Sequence, residues 1–276
     1  MNRLPLFFLI AFLSCRNNQI SSQVSNPPGY YLEKPVIINL PLELDEISGL
    51  SYYAKDKSIF AISDEKGVLF KITPYPELKI KTWEFSKKAD FEDLVLLDST
   101  FYILQSNGDM HVVRFKGDTV LTDERRSPVA EGMESETLFY DPLTKNIELI
   151  CKNCEDEKKK SLNEYSFIPG KNLYSDSVSH IDVSALFQKE NVKPFHLKPS
   201  GAAVSPITGD IFILSSVNRL LLVFDKNKIL KSYHPLNPAL FKQPEGITFS
   251  DNGTLIISNE SAKSGTANLL LFNYTK

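Results

Sequence analysis

The sequence predicts an all-β protein: a five-bladed β-propeller built from four-stranded antiparallel blades. Three observations lead to this prediction. A hairpin pattern recurs five times along the chain, and most copies are separated by about the length of one propeller blade. In addition, the last copy lacks a strand that the N-terminal part of the chain can supply.

The hairpin pattern is clearest in residues 243–260, with the sequence QPEGITFSDNGTLIISNE. An acidic residue precedes a short apolar strand, an Asp-Asn-Gly turn follows, and a second apolar strand ends in polar residues. One such hairpin cannot bury its apolar face alone, so the pattern predicts an array of neighbouring copies. The other copies are SGLSYYAKDKSIFAI from Ser48, EDLVLLDSTFYIL from Glu92, ETLFYDPLTKNIELI from Glu136 and SGAAVSPITGDIFIL from Ser200.

The spacing of the copies indicates how many blades to expect. They begin at positions 48, 92, 136, 200 and 245, which are 44, 44, 64 and 45 residues apart. A period near 45 residues is that of a four-stranded blade. The long interval contains a charged loop at 155–160 and a segment at 182–190 whose N-terminal Asp and apolar spacing predict a short helix. Its roughly twenty extra residues are too few for a sixth blade.

The two ends of the repeat predict how the ring closes. Residues 35–40, PVIINL, have the composition of a strand, but no copy of the hairpin claims them. The last copy leaves room for only three strands before the C-terminus. Pairing this N-terminal strand with the last blade would close the ring and remove exposed sheet edges. The propeller domain is therefore expected to span residues 35–276.

The first fifteen residues are typical of a secretory signal peptide. Arg3 precedes an apolar run at 4–13 that is too short to cross a bilayer as a helix, and Cys15 follows shortly afterwards. The Leu-Ser-Cys ending resembles the lipobox of bacterial lipoproteins, in which the Cys becomes the lipidated first residue. The alternative is a plain export signal with an incidental Cys. Residues 16–34 are expected to form a flexible tether.

This N-terminus predicts a lipid-anchored protein of the cell envelope, facing the periplasm or at the outer membrane. The chain has 31 basic and 34 acidic residues and a pI of about 5.9, which argues against nucleic acid as a partner. We expect a monomer whose partners are the membrane, through the anchor, and an unknown small molecule or envelope protein. Cys151 and Cys154 predict a local disulfide or an inert thiol pair, because no second Cys pair completes a zinc site.

The propeller prediction also locates a candidate site. The first strand of each blade lines the central channel and the second strand returns beside it, so the start of one and the end of the other lie on the same face. Polar residues occupy these positions in every copy. The predicted ligand-binding residues are Glu46, Ser48, Asp64, Glu65, Glu92, Asp93, Glu136, Ser200, Glu245 and Glu260.

Within this set, Glu92, Glu136 and Glu245 recur in register and are predicted to hold a cation. Converging carboxylates repel one another unless a cation or protons neutralise them. A hard cation such as calcium prefers oxygen ligands, which these residues supply. The alternative interpretation is structural, because acidic and Ser side chains at strand starts can also bond the backbone of the neighbouring blade.

Motifs for catalysis are absent from the sequence. There is no nucleophile elbow, phosphate-binding loop or zinc-protease motif, so no catalytic residue is predicted and enzymatic activity stays open. The histidines show no ligand spacing and are expected at the surface or in loops. They are His111, His180, His196 and His234.

Ordered blocks of the repeat resemble the SdiA-regulated domain family of bacterial envelope proteins. The resemblance covers residues 35–274 and implies a five-bladed propeller whose molecular role is largely undefined. The chain departs from the family at Gln105 and Ser216, where the family tends to carry an acidic residue. The matching blocks are EISGLSY from Glu46, ISDEKG from Ile62, DFEDL from Asp90, ETLFYDP from Glu136, SGAAVSPITGDIFILSS from Ser200 and QPEGITFSDNGTLIISNE from Gln243.

Three functions remain open from the sequence. The leading hypothesis is a lipid-anchored extracytoplasmic propeller that binds a ligand at the channel mouth, through a bound cation, without turnover. The second is a calcium-dependent hydrolase of esters, lactones or phosphoesters, which a more remote similarity to propeller lactonases, phytase relatives and calcium-bound sugar-lactone hydrolases implies. The third is a protein-interaction scaffold of the cell envelope.

Overall fold

The structure is a computed structural model of the 276-residue chain, and it describes residues 25–129, 132–154, 159–190, 193–261 and 265–276. The predicted signal peptide, Cys15 and the first part of the tether lie outside these residues. Among the described residues, no helix is both long and apolar enough to cross a membrane.

The described chain folds into five four-stranded antiparallel sheets, as the sequence predicts. The N-terminal strand is β1 (Val36–Asn39). Blade 1 contains β2 (Ile47–Tyr53), β3 (Ser58–Ser63), β4 (Val68–Thr73) and β5 (Lys79–Glu84). Blade 2 contains β6 (Phe91–Leu97), β7 (Thr100–Gln105), β8 (Met110–Lys116) and β9 (Thr119–Arg125). Blade 3 contains β10 (Glu134–Asp141), β11 (Asn146–Asn153), β12 (Ser161–Ile168) and β13 (Leu173–Asp182).

The second half of the chain completes the ring. A short helix, α1 (Ser184–Glu190), follows blade 3. Blade 4 contains β14 (Gly201–Val204), β15 (Ile211–Ser215), β16 (Leu220–Phe224) and β17 (Leu230–Pro235). Blade 5 contains β18 (Pro244–Phe249), β19 (Leu255–Asn259) and β20 (Asn268–Phe272), with β1 as its outermost strand.

The five innermost strands form a closed ring around the channel. Strand β2 lies between β18 and β6, and the ring continues from β6 through β10 and β14 back to β18. Strand β1 pairs antiparallel with β20, with Val36 opposite Leu271 and Asn39 opposite Asn268. The predicted closure of the ring by an N-terminal strand is therefore confirmed.

Apolar side chains fill the spaces between neighbouring blades. Five separate clusters of buried residues account for this core, one at each boundary between blades. The cluster between blades 5 and 1 joins Leu50 to Ile256 and Leu269, so the seam of the ring is as apolar as the other boundaries. Between blades 1 and 2, the rings of Phe60 and Phe101 lie 4.7 Å apart in an edge-to-face arrangement.

The long interval in the repeat contains α1 rather than an extra blade. The Asp182 side chain accepts a hydrogen bond from the backbone N–H of Ser184 at 2.7 Å, which caps the helix as predicted. Leu186 is fully buried against blades 3 and 4. Upstream, Cys151 and Cys154 form a disulfide, so of the two possibilities for this pair the structure has the local disulfide.

The closure of the ring makes a testable prediction at β1. Ile38 packs against the apolar cluster between blades 5 and 1, whereas the neighbouring Ile37 is 52% exposed. We expect Ile38→Ala to lower the free energy of unfolding by about 1–2 kcal/mol, below the range for fully buried residues because Ile38 is only partly buried. The matched change Ile37→Ala should stay within about 0.5 kcal/mol. Urea unfolding measures both, and equal effects would contradict the observed closure.

Candidate functional site

The candidate site lies at the face of the ring where the innermost strands begin. We call this face the acidic mouth and define it by Glu46, Asp64, Glu92, Glu245 and Glu260. Strand pairing brings its members together, because the start of each innermost strand lies beside the end of the next strand in the same blade. Ile47 pairs with Ser63 and Pro244 pairs with Asn259, which places Glu46 beside Asp64 and Gln243 beside Glu260. Glu245 follows in the same strand, near enough for its charge to act on the Glu260 carboxyl group.

Backbone hydrogen bonds between blades fix the rim of this mouth. The N–H of Ser261, next to Glu260 in blade 5, donates to the carbonyl of Asp45 at 2.8 Å. The N–H of Phe91, at the start of blade 2, donates to the carbonyl of Asp64 at 2.7 Å. The carboxylates of blades 5, 1 and 2 are therefore carried on backbone segments that are bonded to one another.

Three of the carboxylates converge more closely than the others. Glu46, Asp64 and Glu260 each offer an oxygen atom such that all three atoms lie within 4.8 Å of one another. All three side chains are partly buried. In the part of the chain that the structure describes, this is the group of acidic, His or Cys residues with the geometry to hold a metal ion.

The pKa values of these carboxyl groups respond to burial and to mutual repulsion. Burial, a hydrogen bond with Glu46 and the charge of Glu245 raise the pKa of Glu260 to about 9. Burial and the nearby charge of Glu46 raise the pKa of Asp64 to about 6. The fully ionised state of Asp64 and Glu260 is therefore unfavourable unless protons or a bound cation neutralise the charge.

The pKa values of the other two acids at the mouth, Glu92 and Glu245, are also raised. Burial raises the pKa of Glu92 to about 7, against the opposing charge of Lys152. Burial likewise raises the pKa of Glu245 to about 7, and Lys152 again opposes the shift. The Lys152 ammonium therefore acts as an internal counter-ion for this half of the mouth.

Lys152 also determines the position of Glu136. Its Nζ atom forms an ion pair with Oε1 of Glu136, and both side chains are largely buried. Lys152 lies between the two cysteines of the disulfide, which tethers the end of β11 that carries it. Glu136, one of the three glutamates that the sequence predicts as cation ligands, therefore already forms an ion pair with a lysine. The tight group at Glu46, Asp64 and Glu260 is a different one, and the prediction for Glu92, Glu136 and Glu245 stays untested.

Three of the predicted ligand-binding residues bond the neighbouring blade instead. The Ser48 hydroxyl donates to the carbonyl of Glu92, and the Ser200 hydroxyl donates to the carbonyl of Pro244 at 3.0 Å. Asp93 accepts the backbone N–H of Leu138 in blade 3 at 2.8 Å. These contacts correspond to the structural alternative that the sequence left open.

The position of the Asp93 carboxylate also explains why residue 49 in the neighbouring blade is a glycine. Asp93 Oδ1 accepts the N–H of Leu94, and a Cβ atom on Gly49 would lie 2.4 Å from that oxygen. Blade 1 therefore needs Gly49 at this position so that the Asp93 carboxylate can fit against it. Burial raises the pKa of Asp93 well above its usual range.

Glu65 and the histidines occupy positions that differ from the rest of the predicted site. Glu65 faces solvent and pairs with Lys88 at 3.0 Å, so it lies outside the convergent group. The expectation that the histidines lie at the surface or in loops is wrong for His111 and His234, which are buried on strands. His111 packs against the Phe91 ring at 5.1 Å, and burial lowers its pKa.

The tight acidic group suits a hard cation such as calcium. The ligands are carboxylate oxygens only, which calcium prefers. Oδ1 of Asp64 is buried and has no hydrogen-bond partner, and the same holds for Oδ1 of the adjacent Asp45. Buried carboxylate oxygens without partners are unfavourable unless something neutralises them, so these residues fit a bound cation.

Sequence reasoning located the mouth but missed two of its features. It placed the cation at Glu92, Glu136 and Glu245, because only these residues recur in register along the repeat. The closer contact between blades 1 and 5 at Glu46 and Glu260 arises from ring closure, which register within the repeat does not describe. The role of Lys152 had a signal in the sequence, since it is the basic residue among the predicted strand ends.

The fold and these carboxylates define a class of protein: a five-bladed β-propeller with an acidic channel mouth. The chain belongs to the SdiA-regulated family, whose model matches residues 34–263. No curated protein gives a significant match to the sequence.

Several solved structures share the fold at low sequence identity. The PQQ-bound aldose sugar dehydrogenase of Streptomyces coelicolor is 11% identical with a TM-score of 0.57, and the alignment covers 91% of this chain and 100% of that one. Myxococcus xanthus glutaminyl cyclase is 11% identical with a TM-score of 0.57, covering 88% and 98%. A luciferin-regenerating enzyme is 11% identical with a TM-score of 0.53, covering 87% and 95%. At this identity the similarity extends to the fold alone.

The raised pKa values predict how stability changes with pH. Carboxyl groups with pKa values near 6, 7 and 9 bind more protons in the folded state than in the unfolded state. Their stabilising contribution is present at low pH and is lost as the pH rises through these values. In chelator, we expect the melting temperature to fall between pH 5 and pH 9 by at least about 3 °C, the shift that roughly 1 kcal/mol causes at this chain length.

Two substitutions make this prediction specific. Glu260→Gln removes the group with the highest of these pKa values, so the decline between pH 7 and pH 9 should become shallower. Glu65→Gln is the matched control, because Glu65 is exposed and Lys88 lowers its pKa. A melting temperature that is constant or rises over this range in the unsubstituted protein would contradict the account.

Proposed function

We propose that the protein binds a ligand at the acidic mouth through a cation held by Glu46, Asp64 and Glu260, without turnover. The observation that supports this most directly is the convergence of their oxygen atoms within 4.8 Å. Their combined charge is neutralised by protons at low pH and by a cation at higher pH, because metal binding displaces protons from carboxylates. Calcium is the cation that the oxygen-only ligand set favours.

The number of ligands supports a role in binding rather than a closed structural site. Calcium takes about six to eight oxygen ligands, and the three carboxylates each bring one oxygen atom to the point where they converge. The remaining positions would be available to water or to oxygen atoms of a ligand that enters the channel. A ligand with hydroxyl, carboxylate or phosphate oxygens would suit this arrangement.

A calcium-dependent hydrolase is the second candidate function, and one observation favours it. The pKa values of Glu92 and Glu245 are raised to about 7, which is the range in which a carboxyl group serves as a general acid or base near neutral pH. Both groups lie at the same mouth as the tight acidic group. Turnover of an ester, lactone or phosphoester that needs calcium and is lost in Glu245→Gln would replace binding without turnover as the conclusion.

The cation proposal predicts a change in thermal stability. Calcium at a hundredfold excess over its dissociation constant should stabilise the protein by about 2.7 kcal/mol, which corresponds to a rise of about 5 °C or more in melting temperature at pH 7.5. Chelator should reverse the rise, and differential scanning calorimetry measures both.

Three variants separate the possible sites in this experiment. Glu46→Gln should abolish the calcium effect, because it removes one of the three convergent ligands. Glu65→Gln should retain it, because the exposed Glu65 carboxylate pairs with Lys88 and is not one of the three whose oxygen atoms converge. If Glu136→Gln abolishes the effect and Glu46→Gln does not, the cation site is instead the one at Glu92, Glu136 and Glu245. An unchanged melting temperature in calcium would refute both sites.

We also propose that the protein is anchored in the cell envelope by lipid on Cys15. The apolar run before Cys15 and the Leu-Ser-Cys ending support this proposal. The disulfide between Cys151 and Cys154 agrees with it, because disulfides persist in oxidising compartments outside the cytoplasm.

The anchor predicts how the protein partitions between detergent and water. In a Triton X-114 phase separation of cells that make the protein, we expect the unsubstituted chain in the detergent phase and Cys15→Ala in the aqueous phase or uncleaved. The double change Cys151→Ala and Cys154→Ala is the control and should stay in the detergent phase. An unsubstituted chain in the aqueous phase would indicate a plain export signal.

A further inference from the structure

The opposite face of the channel contains a cavity that is unrelated to the acidic mouth. Its volume is about 590 Å³, which lies within the usual range for small-molecule sites. The second halves of the five innermost strands form its wall, whereas the acidic mouth lies at their beginnings. We call this cavity the apolar mouth. Residues that define it include Tyr52, Val95, Phe139, Ala203, Phe249 and Asp251.

Small residues in blade 4 leave room for this cavity. Strand β14 carries Ala202 and Ala203 where β6 carries Leu94 and Val95 and where β10 carries a Leu-Phe pair. Larger side chains at the two alanines would fill the space on this side of the channel. The lining of the cavity therefore carries smaller side chains at blade 4 than at blades 2 and 3.

Two hydroxyl groups of the wall accept backbone hydrogen bonds from the neighbouring blade. The Ser51 hydroxyl oxygen accepts the N–H of Leu96 at 3.1 Å, and the Thr248 hydroxyl oxygen accepts the N–H of Tyr52 at 3.2 Å. A molecule inside the cavity therefore meets mainly Leu, Val, Ile, Phe and Tyr side chains. Such a wall favours an apolar body over a sugar or a phosphate, whose polar groups would lose their hydrogen bonds to water.

One charged side chain lies in this lining, and it is acidic. Asp251 lies at the rim, in the turn between β18 and β19, and is exposed. Burial and then the charge of Asp251 raise the pKa of the Tyr52 phenol, so the two side chains are close to each other. No described lining residue is basic, since Lys55, Lys57 and Lys145 in the neighbouring turns are not part of the lining. The charge within the lining therefore complements a cation rather than an anion.

We propose that the apolar mouth is a second binding site, which takes an organic cation with an apolar ring system and an amine or quaternary ammonium group. The rings would lie against the apolar wall, in the space left by Ala202 and Ala203. The positive group would lie at the rim beside the Asp251 carboxylate and the Tyr52 ring, where both charge attraction and cation–π contact favour it. This site is independent of calcium and of the acidic mouth.

Fluorescence titration with three dyes tests the proposal. Berberine is a planar organic cation, N-phenyl-1-naphthylamine is neutral, and 1-anilinonaphthalene-8-sulfonate is an anion. We expect one berberine per chain, N-phenyl-1-naphthylamine bound at the same site, and no saturable binding of the anion. Berberine affinity should be the same in calcium and in chelator, so failure of the acidic-mouth proposal would leave this result unchanged.

Substitutions at the rim and in the wall complete the test. Asp251→Asn should weaken berberine about three- to tenfold and leave the neutral dye unchanged, and Asp251→Lys should reverse the preference toward the anion. Asp98→Asn is the matched control, because Asp98 lies in the corresponding turn of blade 2 but does not line the cavity. Ala203→Trp should weaken both berberine and the neutral dye by more than tenfold.

Two results would overturn the proposal. The first is the absence of saturable berberine binding to the unsubstituted protein. The second is berberine binding that Asp251→Asn and Asp251→Lys leave unchanged. Because Asp251 is exposed in a turn, these variants should fold even if Ala203→Trp does not, so the test does not depend on the wall variant.

Discussion

The pairing of β1 with β20 is the interaction on which the rest of the structure depends. It adds a strand from the N-terminal part of the chain to the last blade, and it joins the two ends of the repeat in one sheet. The apolar cluster at this boundary, which includes Leu50 and Leu269, then completes the circle. The tight acidic group lies across the same seam, since Glu46 and Asp64 belong to blade 1 and Glu260 follows the inner hairpin of blade 5. Glu260 is some 200 residues from Glu46 and Asp64 in the sequence, and closure of the ring brings it next to them.

The acidic mouth shows how a propeller can tolerate several unfavourable carboxyl groups at one place. Apolar clusters between the blades provide most of the favourable free energy, so a few unfavourable groups at the hub can be tolerated. Lys152 pairs with Glu136, and its charge also opposes the rise in the pKa values of Glu92 and Glu245 in one half of the mouth. In the other half the carboxylates of Glu46, Asp64 and Glu260 converge, and the polar partner of Glu260 is the neutral amide of Gln243 rather than a lysine. This difference is the reason for proposing a cation there rather than beside Lys152.

Much of the fold could be predicted from the sequence, because strand length, turn residues and a regular period are local properties. The closing strand could be predicted because residues 35–40 belong to no copy of the hairpin, and because the last copy has only three of the four strands of a blade. The candidate site was predicted less completely. Ser48 and Asp93 form hydrogen bonds with the next blade. Such contacts depend on the direction of each side chain at the boundary between blades, which the sequence pattern does not give. The burial of His111 and the pairing of Lys152 with Glu136 depend on the same three-dimensional contacts.

We propose that ring closure assembles a cation site from Glu46, Asp64 and Glu260. Crystals grown with terbium in place of calcium would test it most directly, through anomalous difference density. The account predicts one strong peak within about 2.6 Å of oxygen atoms from all three carboxylates, the upper range for hard-cation ligands. A peak beside Glu92, Glu136 and Glu245, or a mouth without any anomalous density at saturating terbium, would contradict it.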